Sequence, residues 1–113
     1  METPRKYEKM RKDLEIISEK TRYKIILTLL ASKKKLSFSQ LKELLPSIQD
    51  NNLNYHLNVL KEQDFIKNEK RVEYKRSEPR SFYSLSKRAT NLLENLGLTD
   101  VKEEFQALFS QMT

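Results

Sequence analysis

The chain has 113 residues, 22 Lys and Arg against 16 Asp and Glu, a net charge of +6, one His, one Gly and no Cys. This length fits one domain, or one domain with an arm. No Cys means no disulfide framework, Cys-based zinc site or thiol nucleophile; one His makes a His-centred triad improbable, and one Gly excludes Gly-rich phosphate loops. The apolar share is 37% and the charged share 34%, so a single small core is expected, helped by oligomerisation. No apolar run is long enough to span a bilayer. No secretory signal is visible at the N-terminus, which leaves a cytoplasmic, nucleoid-associated location as the expectation.

Charge falls in blocks. Residues 1–35 carry net +6, residues 36–64 net −2, residues 65–88 net +5 and residues 89–113 net −3. Two basic blocks flank an Asn-rich, nearly neutral middle. Localised positive charge on a small protein points to a polyanion partner, most often nucleic acid.

Residues 5–31 predict helix. Tyr7, Met10, Leu14 and Ile17 form one stripe; Tyr23, Ile26, Leu27 and Leu30 form another, out of phase with the first. Ser18 or Thr21 could cap a second helix, which puts a joint near 18–21. Ser37-Phe38-Ser39-Gln40 reads as a capping box before Leu41, Leu44 and Leu45, and Pro46 stops that helix. Asp50 suits the start of the next helix, about 50–63, with Leu53, Leu57 and Leu60 inward.

The period then changes. Phe65 to Tyr74 and Ser81 to Leu85 predict two strands joined by the polar segment 75–80, a hairpin with a basic tip. Ser86 can cap a helix through Leu96. Gly97 falls where a left-handed residue ends a helix, with Leu98 as its hydrophobic contact. Thr99 can cap a last helix bearing Val101, Phe105, Leu108, Phe109 and Met112.

The order is mainly α with a small β-hairpin. A short helix, a turn and a longer helix make a helix-turn-helix, and the hairpin after it makes a wing. The longer helix presents Asn51, Asn52, Asn54, Tyr55 and Asn58 opposite its leucines. Amides suit base edges, since Asn can pair bidentately with adenine. The same face could simply be solvated. Lys75, Arg76 and Arg80 on the wing are candidates for the flanking minor groove or phosphates, although charge also blunts exposed strand edges. Ser37, Ser39, Gln40 and Lys42 are candidates for backbone contacts. His56, alone of its kind, reads first as a packed or hydrogen-bonded helix-face residue and second as a phosphate contact; no metal is expected. Tyr7, Met10, Leu14 and Ile17, with Phe105, Leu108, Phe109 and Met112, exceed what one small core needs. They predict a homodimer interface, the alternative being that they fold back on their own domain.

Four segments also resemble the ArsR/MarR-like winged helix-turn-helix regulators of archaea. Residues 21–30 resemble their Arg-containing opening helix, and residues 36–45 the helix after it. Residues 52–60, with His56-Leu57 and Leu60, are similar to their recognition helix, and residues 80–86 to the end of the wing. The resemblance implies a dimeric DNA-binding transcriptional regulator across about residues 18–97, with residues 1–17 and 98–113 as dimerisation helices. Two glycines common in the family are Asp64 and Ala89 here. Asp tolerates the left-handed region, so the first turn is expected to survive, and the backbone at Ala89 is expected to be helical. The metal-sensing branch needs Cys and His ligands that this chain lacks. No cofactor and no enzymatic activity are expected; an effector is left open. The rival functions are a protein–protein assembly module of the transcription machinery and a sequence-neutral chromatin protein.

Overall fold

The computed structural model describes residues 5–32, 34–71 and 80–98. Helices α1 (Arg5–Ser18) and α2 (Lys20–Ala31) come first, followed by the short strand β1 (Leu36–Ser37). Helices α3 (Phe38–Leu44) and α4 (Asp50–Glu62) follow, then strands β2 (Ile66–Arg71) and β3 (Arg80–Leu85), and helix α5 (Lys87–Asn95).

The joint between α1 and α2 lies in the expected stretch, but its cap is neither Ser18 nor Thr21. Glu19 takes an extended conformation, and its Oε2 accepts the Arg22 N–H at 2.9 Å. A longer carboxylate here fills the role a Ser or Thr usually has, satisfying a first-turn donor. α2 is the central helix: Ile25, Ile26, Leu29, Leu30 and Ala31 are all buried. The burial is wider than the expected stripe, and Tyr23, at the stripe's start, is 40% exposed. Buried Thr28 satisfies its hydroxyl by donating to the Lys24 carbonyl at 2.7 Å.

The capping box forms as its sequence predicts. Ser37 Oγ accepts the Gln40 N–H at 3.2 Å, and Gln40 Oε1 accepts the Ser37 N–H at 2.8 Å. α3 stops before Pro46, and Ile48 anchors the turn in the core. α4 then buries Leu53, Leu57 and Leu60 at helical spacing. It ends in a Schellman motif. Asp64 adopts φ 61°, its N–H bonds the Lys61 carbonyl at 3.0 Å, and the Phe65 N–H bonds the Leu60 carbonyl at 2.8 Å. Asp64 thus holds the left-handed place and the turn survives, as expected, and Phe65 and Leu60 supply the hydrophobic contact from the core.

The sheet has three strands, in the order β1-β3-β2, all antiparallel. The expected hairpin is therefore extended by β1, where Leu36 pairs with Tyr83 and Ser37 with Phe82. Phe65 belongs to the Schellman turn rather than to β2, so the strand starts at Ile66. β3 starts one residue earlier than expected, at Arg80, opposite Arg71. Residues 72–79, which complete the expected wing, lie outside the described residues, as does the expected helix after Thr99.

Ser86 closes the wing onto the helices. Its Oγ accepts the Ala89 N–H at 3.1 Å and donates to the Asp64 carbonyl at 2.6 Å, while its own N–H bonds the Phe65 carbonyl. Ala89 is helical and buried, as expected. Gly97 has φ 75° past the end of α5, and Leu98 packs against the core. Arg88 ties three regions together. It donates to Asp13 Oδ1 and to the Gln63 carbonyl, both at 2.6 Å, and its guanidinium lies 4.6 Å from the Phe65 ring centroid. No helix among the described residues is long and apolar enough to cross a membrane.

Candidate nucleic-acid interface

α4 follows α3 after a turn of a few residues, and its leucine face fixes which side is left outside. Asn51, Asn52, Asn54, Tyr55 and Asn58 are all exposed, Tyr55 at 59%. These are the five residues singled out from sequence, now on one solvent-facing surface. Asn51 spends part of its capacity locally, its Oδ1 accepting the Asn52 N–H at 2.9 Å. Beside this face runs an open groove of about 420 Å³, lined by Ser39, Asn54, Arg80, Ser81 and Tyr83 among others. The groove connects the first helix of the pair, the exposed face of the second and the base of the wing.

The candidates around α3 divide. Ser39 is exposed and lines the groove. Ser37 also borders the groove but is 2% exposed, and its hydroxyl accepts the Gln40 N–H of the cap, so little of its side chain faces outward. Gln40 is held by the same capping box. Lys42 Nζ donates to the Ile48 carbonyl and sits 3.3 Å from Asp50 Oδ1, bracing the turn between α3 and α4. Position alone made these three look alike to Ser39; hydrogen-bond accounting separates them.

On the wing, Arg80 is half-buried and lines the groove. Lys75 and Arg76 lie outside the described residues. The outer face of the sheet carries an ion-pair network in which Glu69 accepts from Lys35 and from Arg71 Nε, the latter at 3.1 Å. These two cations hold the Glu69 carboxyl at about 2. Arg71 also lies 5.1 Å from the Phe82 ring centroid.

The apolar candidates of the N-terminal helix also divide. Tyr7 is 57% exposed, Met10 and Leu14 are partly buried, and Ile17 is 4% exposed inside its own chain's core. Ile17 thus presents no surface to a second copy. Phe105, Leu108, Phe109 and Met112 lie outside the described residues.

Sequence reading missed one cluster. Arg22 Nη1 lies 3.1 Å from His56 Nδ1, and Glu19 Oε2 lies 3.6 Å from the same nitrogen. Arg22 Nε also donates to the Ile16 carbonyl at 2.5 Å. Burial alone would raise the Glu19 pKa, but the backbone N–H groups of Arg22 and Thr21, with the nearby Arg22 guanidinium, pull it below its ordinary value. The first of the two readings of His56, a hydrogen-bonded helix-face residue, is what the structure shows. The only sequence signal for its partner was the lone Arg of α2.

Residues 17–69 match the model of a family described as a helix-turn-helix domain. The span runs from the end of α1 into β2 and so contains the helix pair. No curated protein sequence matches the chain. Among solved structures, it is similar to a protein of Halomicrobium mukohataei with a GntR-superfamily winged-helix-turn-helix domain. The TM-score is 0.85 at 19% identity, covering 100% of this chain and 81% of that one. It is also similar to a transcriptional regulator of the MarR family from Enterococcus faecalis V583, with TM-score 0.71 at 18% identity, covering 100% and 97%. A third is the reduced form of the transcriptional regulator YodB from B. subtilis, with TM-score 0.66 at 20% identity, covering 99% and 88%. At such identities the structural overlap establishes the fold alone: the chain has the winged helix-turn-helix fold. The winged helix-turn-helix fold is what the resemblance to ArsR/MarR-like chains implied.

Proposed function

We propose that this protein is a transcriptional regulator that binds double-stranded DNA as a homodimer. The observation that carries the reading is the exposed amide face of α4, opening beside a groove that leads to Arg80. The major groove admits one helix, and α4 offers it Asn51, Asn52, Asn54, Tyr55 and Asn58 with no cation among them. Ser39 and Arg80, at the two sides of the groove, contact the backbone, and Lys75 and Arg76 extend that contact along the flanking DNA. Ser37, Gln40 and Lys42 support this surface from within rather than touching DNA by side chain.

Tyr7, Met10 and Leu14 of α1, with Phe105, Leu108, Phe109 and Met112, form the dimer interface; residues 1–17 and 98–113 are then the dimerising arms of a DNA-binding unit spanning 18–97. Two recognition helices related by a two-fold axis lie roughly 34 Å apart, one turn of DNA. The protein works in the cytoplasm, where its DNA is, and needs no cofactor.

The test is a gel-shift series with the wild type and the double variant Arg76→Ala/Arg80→Ala. The wild type is expected to enrich a defined, two-fold symmetric sequence from a random duplex pool, and the variant to bind that sequence far more weakly. A protein that enriches no sequence is not a sequence-specific regulator. Sedimentation that finds only monomer at micromolar concentration overturns the dimer.

A further inference from the structure

The recognition helix is held to the core by Leu53, Leu57 and Leu60. Apolar contacts are strong but non-directional, so a leucine seam by itself resists rotation of a helix about its axis only weakly. Reading base edges demands more, because a bidentate amide contact requires its groups within about 10–20° of the right orientation. A directional constraint on α4 is needed, and the structure contains one.

His56 precedes Leu57 and lies between the leucine seam and the exposed face. Its side chain is 14% exposed, and its ring meets Tyr55 edge-on, with centroids 4.9 Å apart and planes at 71°. Tyr55 is on the DNA-facing side. On its other side His56 meets Arg22, 34 residues earlier in the chain, at 3.1 Å. Arginine can only donate, so in this contact Nδ1 is the acceptor. Arg22 is not free to follow His56 if α4 turns. Its Nε is tied to the Ile16 carbonyl at the end of α1, and its backbone N–H is tied to Glu19. The Glu19 carboxylate balances the guanidinium in this half-buried position and stands 3.6 Å from the same imidazole nitrogen.

We propose that Arg22 and Glu19 are positioning residues that fix the rotational setting of α4 through His56, and so set which bases it discriminates. The proposal rests on the DNA-reading function of α4. The α1–α2 joint acts as the anchor, the imidazole as the strut, and Tyr55 as the first reading-face residue whose place it sets. Neither Arg22 nor Glu19 needs to touch DNA.

The experiment compares two duplexes of equal length, one enriched by the wild type from a random pool and one scrambled. Dissociation constants are measured for the wild type, His56→Leu and His56→Asn, each at several salt concentrations. Leucine fills the space but removes the acceptor; asparagine can offer Oδ1 near the place of Nδ1. His56→Leu is expected to lose about tenfold or more in the ratio of selected to scrambled affinity. Its affinity for the scrambled duplex and its salt dependence stay at the wild-type level. His56→Asn restores most of the ratio. Should His56→Leu fold poorly by thermal melting, Arg22→Lys replaces it. That variant keeps the charge but lacks the planar fork that reaches both Ile16 and His56, and the same loss is expected. An unchanged ratio in the acceptor-less or forkless variant, or a loss in His56→Asn equal to that in His56→Leu, overturns the positioning role while leaving DNA reading intact. A wild type that binds both duplexes equally, or neither, overturns the reading function itself and the positioning role with it.

Discussion

Asp64 shows how much one backbone angle can carry. Its φ of 61° is the only positive value among the described non-glycine residues. Without it α4 could not release the chain into β2 while keeping both Schellman bonds. A β-branched side chain in that region is a genuine outlier, so Asp64→Val is expected to lower stability by about 1–2 kcal/mol. Asp64→Gly is expected to be neutral or slightly stabilising, since relief of the left-handed cost offsets the greater freedom of glycine when unfolded. Urea denaturation of the two variants checks the order. This turn was legible through the resemblance, which implies a glycine at this position, and because Asp is one of the few residues that tolerate the angle. Glu69 sets a second expectation at this scale. Its pKa falls from 4.5 to about 2 on folding because Lys35 and Arg71 hydrogen-bond its carboxylate. A group lowered in the folded state contributes stability above its unfolded pKa and loses it as pH falls. The difference in stability between wild type and Glu69→Gln is therefore expected to shrink between pH 4.5 and about 2, and to shrink with added salt at neutral pH, because the network is exposed.

At the scale of elements, the helices were legible and their connections less so. α4 and α5 show three or more apolar residues at helical spacing and a polar or left-handed residue at each end, so period and caps agree. β1 has two residues, too few for any alternation, and Ser37 reads more strongly as a helix cap than as a strand. Both are true at once: the residue pairs with Phe82 through its backbone and caps α3 with its side chain. The break between α1 and α2 was visible as a phase change, but its cap was not, because Glu is an uncommon N-cap. Arg88 was invisible for a different reason. Its partner Asp13 is 75 residues away, and only the fold brings them to 2.6 Å. Asp13 is 9% exposed, so removing its partner leaves a carboxylate short of water and of charge balance. Arg88→Met is expected to destabilise by about 2–4 kcal/mol, and adding Asp13→Asn to recover part of that loss. Thermal unfolding of the single and double variants distinguishes this coupling from two independent losses. Ser37→Ala is expected to cost about 1 kcal/mol through the cap alone.

At the scale of the whole molecule, the amides of α4 and the cation that lines the groove sit on different elements, and this division has a measurable consequence. The exposed face of α4 carries the amides and Tyr55, with the charges of Lys61 and Glu62 in its last turn, whereas the cation that lines the groove, Arg80, belongs to the wing. If the wing holds phosphates and α4 reads bases, substitutions on the two must fail in different ways. Counterion release lowers log affinity by about 0.9 per unit log salt for each phosphate neutralised. Removing Arg76 and Arg80 from both protomers is therefore expected to reduce the slope by roughly 3 to 4 and to weaken binding to any duplex. Asn54→Ala removes no charge. It is expected to leave the slope unchanged and to cost about 1–3 kcal/mol on the selected sequence alone, with discrimination relaxed at one base position per half-site. Binding isotherms for both variants at four or five salt concentrations, on selected and scrambled duplexes, separate the two effects. An equal loss of affinity for the selected and the scrambled duplex on Asn54→Ala would mean that α4 lies along the phosphates rather than in the groove. The net charge of +6 would then act mainly to gather DNA without reading it.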